Sequence, residues 1–250
     1  MRHHWWWKLN FVFEKVLKKL EITDKVIIIE EDHFVMPDMI HVLDLVNKEK
    51  KNLCQSCNII VLGSHEYDNH TYVNNINKIN VMDWYSSMHN MGMVIDNNLW
   101  YNITKCSELF CTYDDYNYDW ALLHVSLNCM ARRMKTLLIT SPRILHIGDC
   151  GMHTRDCQSQ KSLKKANGLL EYSKNKLFPN EMSIKKESKV PPAAPRPNGG
   201  WNDIRDHHLC LHNSHMISIN KKTDTFHIST IIVKIDSFPF IDLNFLRNLL

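Results

Sequence analysis

The sequence predicts an α/β fold. Three observations carry the expectation: an amphipathic helix near the start, short runs of β-branched residues with the character of buried strands, and the alternation of the two along 250 residues. Leu9, Val12, Phe13, Val16, Leu17 and Leu20 share one helical face, with Glu14, Lys15, Lys18 and Lys19 on the other. Val26 to Ile29 then reads as a buried strand. Pro37 can open a second helix whose apolar face is Met39, Val42, Leu43 and Val46. Ile59 to Leu62 reads as a buried strand, and so does Thr136 to Ile139, closed by Ser141-Pro142. From Gln158 to Lys189 the chain is rich in Lys, Ser and Asn and weakly periodic. Pro191 to Pro197 is extended, because its prolines exclude a helix. Asn198-Gly199-Gly200-Trp201 is a turn with an aromatic anchor. His227 to Leu250 is apolar with little polar alternation, as in a strand pair, a partner-binding helix or a non-native tail. No internal repeat is present.

Composition narrows the function. With 44% hydrophobic and 23% charged residues, the chain can bury one sizeable core or two small ones. A formal net charge of +3, with Lys and Arg scattered, does not argue for nucleic acid. No apolar run approaches the roughly 20 residues of a membrane span. Met1-Arg2-His3-His4-Trp5-Trp6-Trp7 has no apolar core of a signal peptide. The eight cysteines are Cys54, Cys57, Cys106, Cys111, Cys129, Cys150, Cys157 and Cys210. Cys54-Gln-Ser-Cys57 is half a zinc site with no second half in the sequence. Paired disulfides suit the even count better and imply an oxidising compartment. Two sequons, Asn69-His70-Thr71 and Asn102-Ile103-Thr104, point the same way.

Three clusters have the residue types that chemistry requires. In Glu30-Glu31-Asp32-His33, three carboxylates and an imidazole follow a core strand without a break. Acids that close repel one another, and a divalent cation offsets the repulsion; the alternative is a solvated acidic turn. In Tyr113-Asp114-Asp115-Tyr116-Asn117-Tyr118-Asp119-Trp120, acids alternate with rings. That suits stacking on a sugar and raises the basicity of a desolvated carboxylate. The structural alternative is a tyrosine-rich loop packed on the core, with acids capping a helix that starts near Trp120. The third cluster is Arg143 to His153, where a strand ends at His146 and a glycine turn follows. His146 is a candidate metal ligand, although a histidine at a strand end is more often structural. Together the clusters point to a metal-dependent transfer reaction. Composition does not distinguish glycosyl, phosphoryl or hydrolytic chemistry, though a phosphoesterase usually has more His and Asp ligands.

The chain resembles the catalytic region of the N-acetylglucosaminyltransferase II family. The matching blocks are His3-His4-Trp5-Trp6-Trp7-Lys8-Leu9, Glu30-Glu31-Asp32-His33, His89-Asn90-Met91-Gly92, Phe110 to Trp120, Pro142-Arg143-Ile144, Gly148 to His153, and Asn198-Gly199-Gly200-Trp201 with Asp203 to His207. They occur in the family's order across residues 3 to 210. The resemblance implies a GT-A type nucleotide-sugar transferase fold, truncated at its N-terminal side. It implies inverting transfer of GlcNAc from UDP-GlcNAc to the 2-hydroxyl of the α1,6-linked mannose of an N-glycan core on glycoproteins. It also implies Mn²⁺ as cofactor and the Golgi lumen as location, with membrane attachment only through an anchor that this chain lacks. By the same resemblance Asp32 and His146 hold the metal and Asp119 is the catalytic base. His3, His4, Glu30 and Glu31 are implied on the donor side. The implied disulfides are Cys54–Cys57, Cys106–Cys129, Cys111–Cys210 and Cys150–Cys157.

The resemblance also divides the chain. Residues 1–157 correspond to the C-terminal part of the catalytic domain. Residues 158–197 form an irregular Pro/Lys/Ser-rich segment, 198–212 a segment tied back to the catalytic domain, and 213–250 a tail outside the family. The segment from His65 to Lys78 departs from the family's sequence. Because the first part of the nucleotide-binding fold is expected upstream, the competing expectation is an inactive truncated paralogue, or a glycan-binding module without a uridine pocket.

Overall fold

The computed structural model describes residues 2–21, 25–65, 67–148, 159–188 and 197–215; for 159, 188, 215 and an isolated stretch at 230–234 it describes the backbone alone. The chain opens with α1 (Arg2–Phe11), a π-helical turn (Val12–Val16) and α2 (Leu17–Lys19). Then come β1 (Lys25–Glu30), β2 (His33–Val35), α3 (Met39–Leu53), β3 (Ile59–Val61) and β4 (Gly63–Ser64). Next are α4 (Asn69–Asn74), β5 (Lys78–Asp83), α5 (Ser86–His89), β6 (Met93–Asp96), α6 (Asn97–Thr104), α7 (Ser107–Thr112) and α8 (Tyr118–Asn128). The series closes with β7 (Lys135–Ile139), β8 (Ile144–His146), α9 (Ser159–Ser173), β9 (Ser183–Ser188), α10 (Ile204–His215) and β10 (Thr230–Lys234). This is a mixed α/β chain. No helix among the described residues is long and apolar enough to cross a membrane.

Two compact units share the chain, and both are discontinuous. The first comprises Met1–Ile27, Asp96–Arg132 and Pro192–Leu250. Its core is aromatic: Trp6 lies 5.2 Å from Trp100 and 4.3 Å from Phe110 between ring centroids, and Phe13 stacks on Trp100. Trp5 stacks on Tyr118 at 4.6 Å. These rings explain why the helix begins at Arg2, well before the apolar stripe that starts at Leu9: large apolar area recruits the first turns. Helix α10 is fastened to α1 by Trp6 Nε1, which donates to Ser214 Oγ at 2.9 Å, and by Asn10 Nδ2, which donates to the Asn213 carbonyl. Disulfides Cys106–Cys129 and Cys111–Cys210 close this unit.

The second unit comprises Ile28–Ile95 and Arg133–Pro191. Its main sheet runs β1-β6-β3-β7-β5-β9. Strands β3 and β7 are parallel, while β6 on β3 and β5 on β7 are antiparallel. Helix α3 buries Met39, Val42, Leu43 and Val46, the residues its periodicity selects. The 158–197 segment corrects the expectation of irregularity, since it contains α9 and β9. Ala166 and Leu169 of α9 pack with Met36, Tyr72 and Leu145. Strand β9 pairs with β5 through the main chain, which requires no apolar alternation and so leaves no sequence signature. Cys54–Cys57 is bonded in this unit. Three of the four expected disulfides are therefore formed; Cys150 and Cys157 lie outside the described residues, as does the Pro191–Arg196 stretch.

A second, smaller sheet has the order β2-β8-β4. It pairs β2 antiparallel to β8, with His33 opposite His146, Phe34 opposite Leu145 and Val35 opposite Ile144. A buried ion pair closes the far end of that ladder. Arg143 Nε donates to both carboxylate oxygens of Asp38, at 3.0 and 3.1 Å, and both side chains are fully buried. Arg143 Nη2 donates to the Ile76 carbonyl, and Asp38 Oδ2 also accepts the Phe178 N–H. Full satisfaction of both charges makes their burial tolerable.

Two stability predictions follow. Asp38→Ala strands a buried guanidinium, so urea denaturation should show a loss of about 3–5 kcal/mol, with a much smaller loss when Arg143→Met is added to Asp38→Leu. A loss below about 1 kcal/mol for Asp38→Ala would remove this role. Replacing Cys111 and Cys210 together by Ala opens a loop with a sequence separation of 99 and should lower stability by about 4 kcal/mol in the chain-entropy model. An unchanged denaturation midpoint would contradict it.

Candidate metal centre and acidic loop

Strand β1 ends at Glu30, the chain turns through Glu31 and Asp32, and His33 opens β2. The register of the small sheet brings His146 beside this turn. Its Nε2 lies 3.1 Å from Asp32 Oδ2. The Ile147 N–H donates to the Asp32 carbonyl at 2.9 Å, which ties the backbone of the turn to the end of β8. Gly148 approaches so closely that a Cβ built there would lie 2.9 Å from Cβ and Cγ of Asp32 and closer still to its Oδ2. A side chain at this position would push the carboxylate away.

The hydrogen bond from His146, opposed by burial, holds the Asp32 carboxyl below the usual carboxylate range. Its other oxygen, Oδ1, is buried and accepts no hydrogen bond among the described residues. His33 Nε2 is 4.0 Å from it, beyond hydrogen-bond range. An anionic oxygen buried without a donor is where a cation fits.

Glu30, Asp32 and His33 present potential ligand atoms within 4.8 Å of one another. His33 nevertheless has the wrong tautomer. Its Nδ1 accepts the Glu30 N–H at 3.1 Å, so the neutral ring carries its proton on Nε2 and has no free lone pair there. It orients the turn instead of binding an ion. Asp32 thus lies beside His146 and has a ligand atom within 4.8 Å of one of Glu30, whereas Glu31 is exposed in the turn. Sequence reasoning left His65 unassigned; its ring centroid lies 5.6 Å from that of His146. Nothing local marks it, because its neighbour is far away in the chain.

Asp119, His3 and His4 belong to the first unit. Asp119 is 7% exposed in the first turn of α8, and its Oδ1 accepts the Trp120 N–H at 3.0 Å. The other acids of this cluster do not cap α8. Asp115 is fully buried, with Oδ1 accepting the Asn117 N–H and Oδ2 accepting both the N–H and Nδ2 of Asn198. Asp114 Oδ1 accepts the Trp201 N–H at 3.0 Å, and the Asp114 carbonyl accepts the Gly199 N–H. Gly199 and Gly200 have φ of +79° and +81°, which glycine adopts without strain. The buried Arg2 guanidinium donates to the carbonyls of Tyr113 and Asp115 and sits over the rings of Phe110 and Trp201. Asp114 and Asp115 are therefore structural, each holding the Asn198–Trp201 turn. His3 packs against Trp201 with the two rings tilted by 51°, and its Nε2 lies 3.2 Å from Asp206 Oδ1, while His4 is exposed.

Two buried histidines of the second unit predict an acid response. Burial lowers His33 and His89 to a pKa of about 4, from an ordinary value near 6.5. In each, Nδ1 accepts a backbone N–H, from Glu30 and Tyr85 respectively, which protonation would break. The unfolded chain therefore binds protons first as pH falls below about 6.5, and stability declines until about pH 4, by up to about 1.4 kcal/mol per pH unit for each ring. Urea midpoints measured from pH 7 to 4 should fall accordingly, and His89→Asn should flatten the slope. An equal slope in the variant would refute the assignment of His89.

Alpha-1,6-mannosyl-glycoprotein 2-beta-N-acetylglucosaminyltransferase of Homo sapiens is 39% identical over 211 residues, covering 84% of this chain and 47% of the human protein. The Rattus norvegicus protein of that name is 40% identical over 213 residues, with 84% and 48% covered. The Arabidopsis thaliana protein is 25% identical over 223 residues, with 84% and 49% covered. The chain spans about half the length of the curated relatives it matches. The family model described as N-acetylglucosaminyltransferase II (MGAT2) matches residues 1–210, and the chain belongs to that family.

Proposed function

We propose that the protein is an inverting glycosyltransferase with a GT-A type fold. It transfers GlcNAc from UDP-GlcNAc to the 2-hydroxyl of the α1,6-linked mannose of an N-glycan core, in the Golgi lumen, with Mn²⁺ as its ion. The observation that carries the reading is a carboxylate and an imidazole 3.1 Å apart, Asp32 Oδ2 and His146 Nε2, in a chain of this family. Six-coordinate bonds of about 2.1 Å separate neighbouring ligand atoms by about 3.0 Å, so the pair fits one ion that takes the place of the proton between them. Asp32 Oδ1, which accepts no hydrogen bond among the described residues, offers a further ligand atom.

When bound, the ion would offset the negative charge that develops on the departing diphosphate. Asp32 and His146 would hold it, with Glu30 alongside. Asp119 would accept the proton of the attacking hydroxyl, and a single base is enough for direct displacement with inversion. His3 and His4 would line the donor side; the contacts of His3 with Trp201 and Asp206 keep its ring in one orientation.

The roles separate experimentally. Asp119→Asn preserves shape but removes the proton acceptor. It should lower kcat by about 10²–10⁴-fold while UDP-GlcNAc affinity, read by calorimetry, stays within about twofold. Asp32→Ala should instead weaken Mn²⁺-dependent donor binding. Full turnover by Asp119→Asn would discard the base assignment. Donor affinity that is indifferent to both Mn²⁺ and Asp32 would discard the metal role.

A further inference from the structure

Strand β4 runs parallel to β8 in the small sheet, with Gly63 beside Ile144 and Ser64 beside Leu145. The next residue in each strand direction is His65 and His146. On its other side β8 pairs His146 with His33. The three strands thus set three imidazoles in a row across the sheet, centred on His146. Ring centroids are 5.6 Å apart for His65 and His146, and 6.4 Å apart for His33 and His146. Two imidazoles on one cation, with bonds of about 2.1 Å, keep their centroids about 4.6–6.5 Å apart.

The two outer rings differ in what their nitrogens offer. His33 spends Nδ1 on the Glu30 N–H and keeps its proton on Nε2, so it has no nitrogen to give. His65 Nε2 lies 3.2 Å from Asn90 Oδ1. With the amide oxygen as acceptor, Nε2 carries the proton and Nδ1 keeps its lone pair. A ligating histidine commonly donates its second N–H to such an oxygen, which fixes the tautomer and strengthens the ligand. His65 is also exposed, so it can turn toward an incoming ion without unpacking the core.

We infer that His65 is a third ligand of the Asp32–His146 centre, oriented by Asn90, and that it shifts the centre's preference from Mn²⁺ toward borderline ions such as Zn²⁺. The inference rests on the reading of that centre as a divalent-ion site. Its chemical basis is ligand type: carboxylate and water suit Mn²⁺, whereas each added imidazole favours Zn²⁺ more than Mn²⁺.

The test is calorimetric titration of the full, oxidised chain at pH 7 with Zn²⁺ alone and with Mn²⁺ alone, for the parent, His65→Ala and Asp32→Asn. His65→Ala should weaken Zn²⁺ binding at this centre by tenfold or more and Mn²⁺ binding by less than about threefold. Asp32→Asn should weaken both, which identifies the centre against other histidines of the chain. The Co²⁺ complex gives a second readout: its visible absorption should change on His65→Ala, reporting a lost nitrogen ligand. Unchanged Zn²⁺ affinity and an unchanged Co²⁺ spectrum in His65→Ala, with Asp32→Asn still weakening both ions, would overturn the inference and leave the centre standing. Equal losses for Zn²⁺ and Mn²⁺ in His65→Ala would overturn the preference. No effect of Asp32→Asn on either ion would overturn the centre itself and the inference with it.

Discussion

The buried pair between Asp38 and Arg143 is the constraint on which the second unit depends. Arg143 directly precedes β8, and Asp38 follows β2 by a few residues. The Arg143 carbonyl also accepts the Met36 N–H at 2.9 Å, so the pair clamps both strands at the same end. Strand pairing has a period of two, and a slip by one residue would turn His146 to the opposite face from His33. A buried charge pair contributes little net stability relative to apolar residues, but it penalises every register in which its charges are unmatched. The ladder then carries His33 opposite His146 and delivers the turn at Asp32 to Nε2 of His146.

Polar groups in this protein divide sharply by what their partners leave open. Asp115 spends both oxygens on Asn117 and Asn198, and Asp114 spends its own on Trp201. These bonds, together with Arg2 between two rings, convert an acid-rich loop into the seat of the Asn198–Trp201 turn. The Cys111–Cys210 bond and the α1–α10 contacts fasten the chain that follows the turn. Asp32 is the opposite case: one oxygen is paired with an imidazole and the other is buried without a donor among the described residues. Acids close together in sequence therefore do different work, and hydrogen-bond accounting separates them where composition does not.

The histidines show the same discrimination. A backbone N–H directed at Nδ1 settles the tautomer of His33 and His89 and keeps both rings neutral. His146 and His65 meet side-chain oxygens instead, which leaves them chemically adjustable. Three imidazoles in one row are thus not equivalent, and the difference comes from backbone groups that a sequence does not display.

Local pattern was enough for much of this molecule. The β-branched run of β1, the apolar stripe of α3 and the strands at Ile59 and Thr136 were legible because near neighbours decide them. The ordered family blocks made the likeness legible as well, and the pairing of Cys54, Cys106 and Cys111 with their partners came with it. Local pattern failed at the 158–197 segment, because β9 is held by main-chain bonds to β5 and α9 by packing on distant Tyr72 and Leu145. It failed again at Asp114 and Asp115, whose partners lie at Asn198 and Trp201. His65 was invisible for the same reason. Whether a histidine stands beside another depends on which strands pair and in what register, and burial and backbone pairing decide that together across the whole chain.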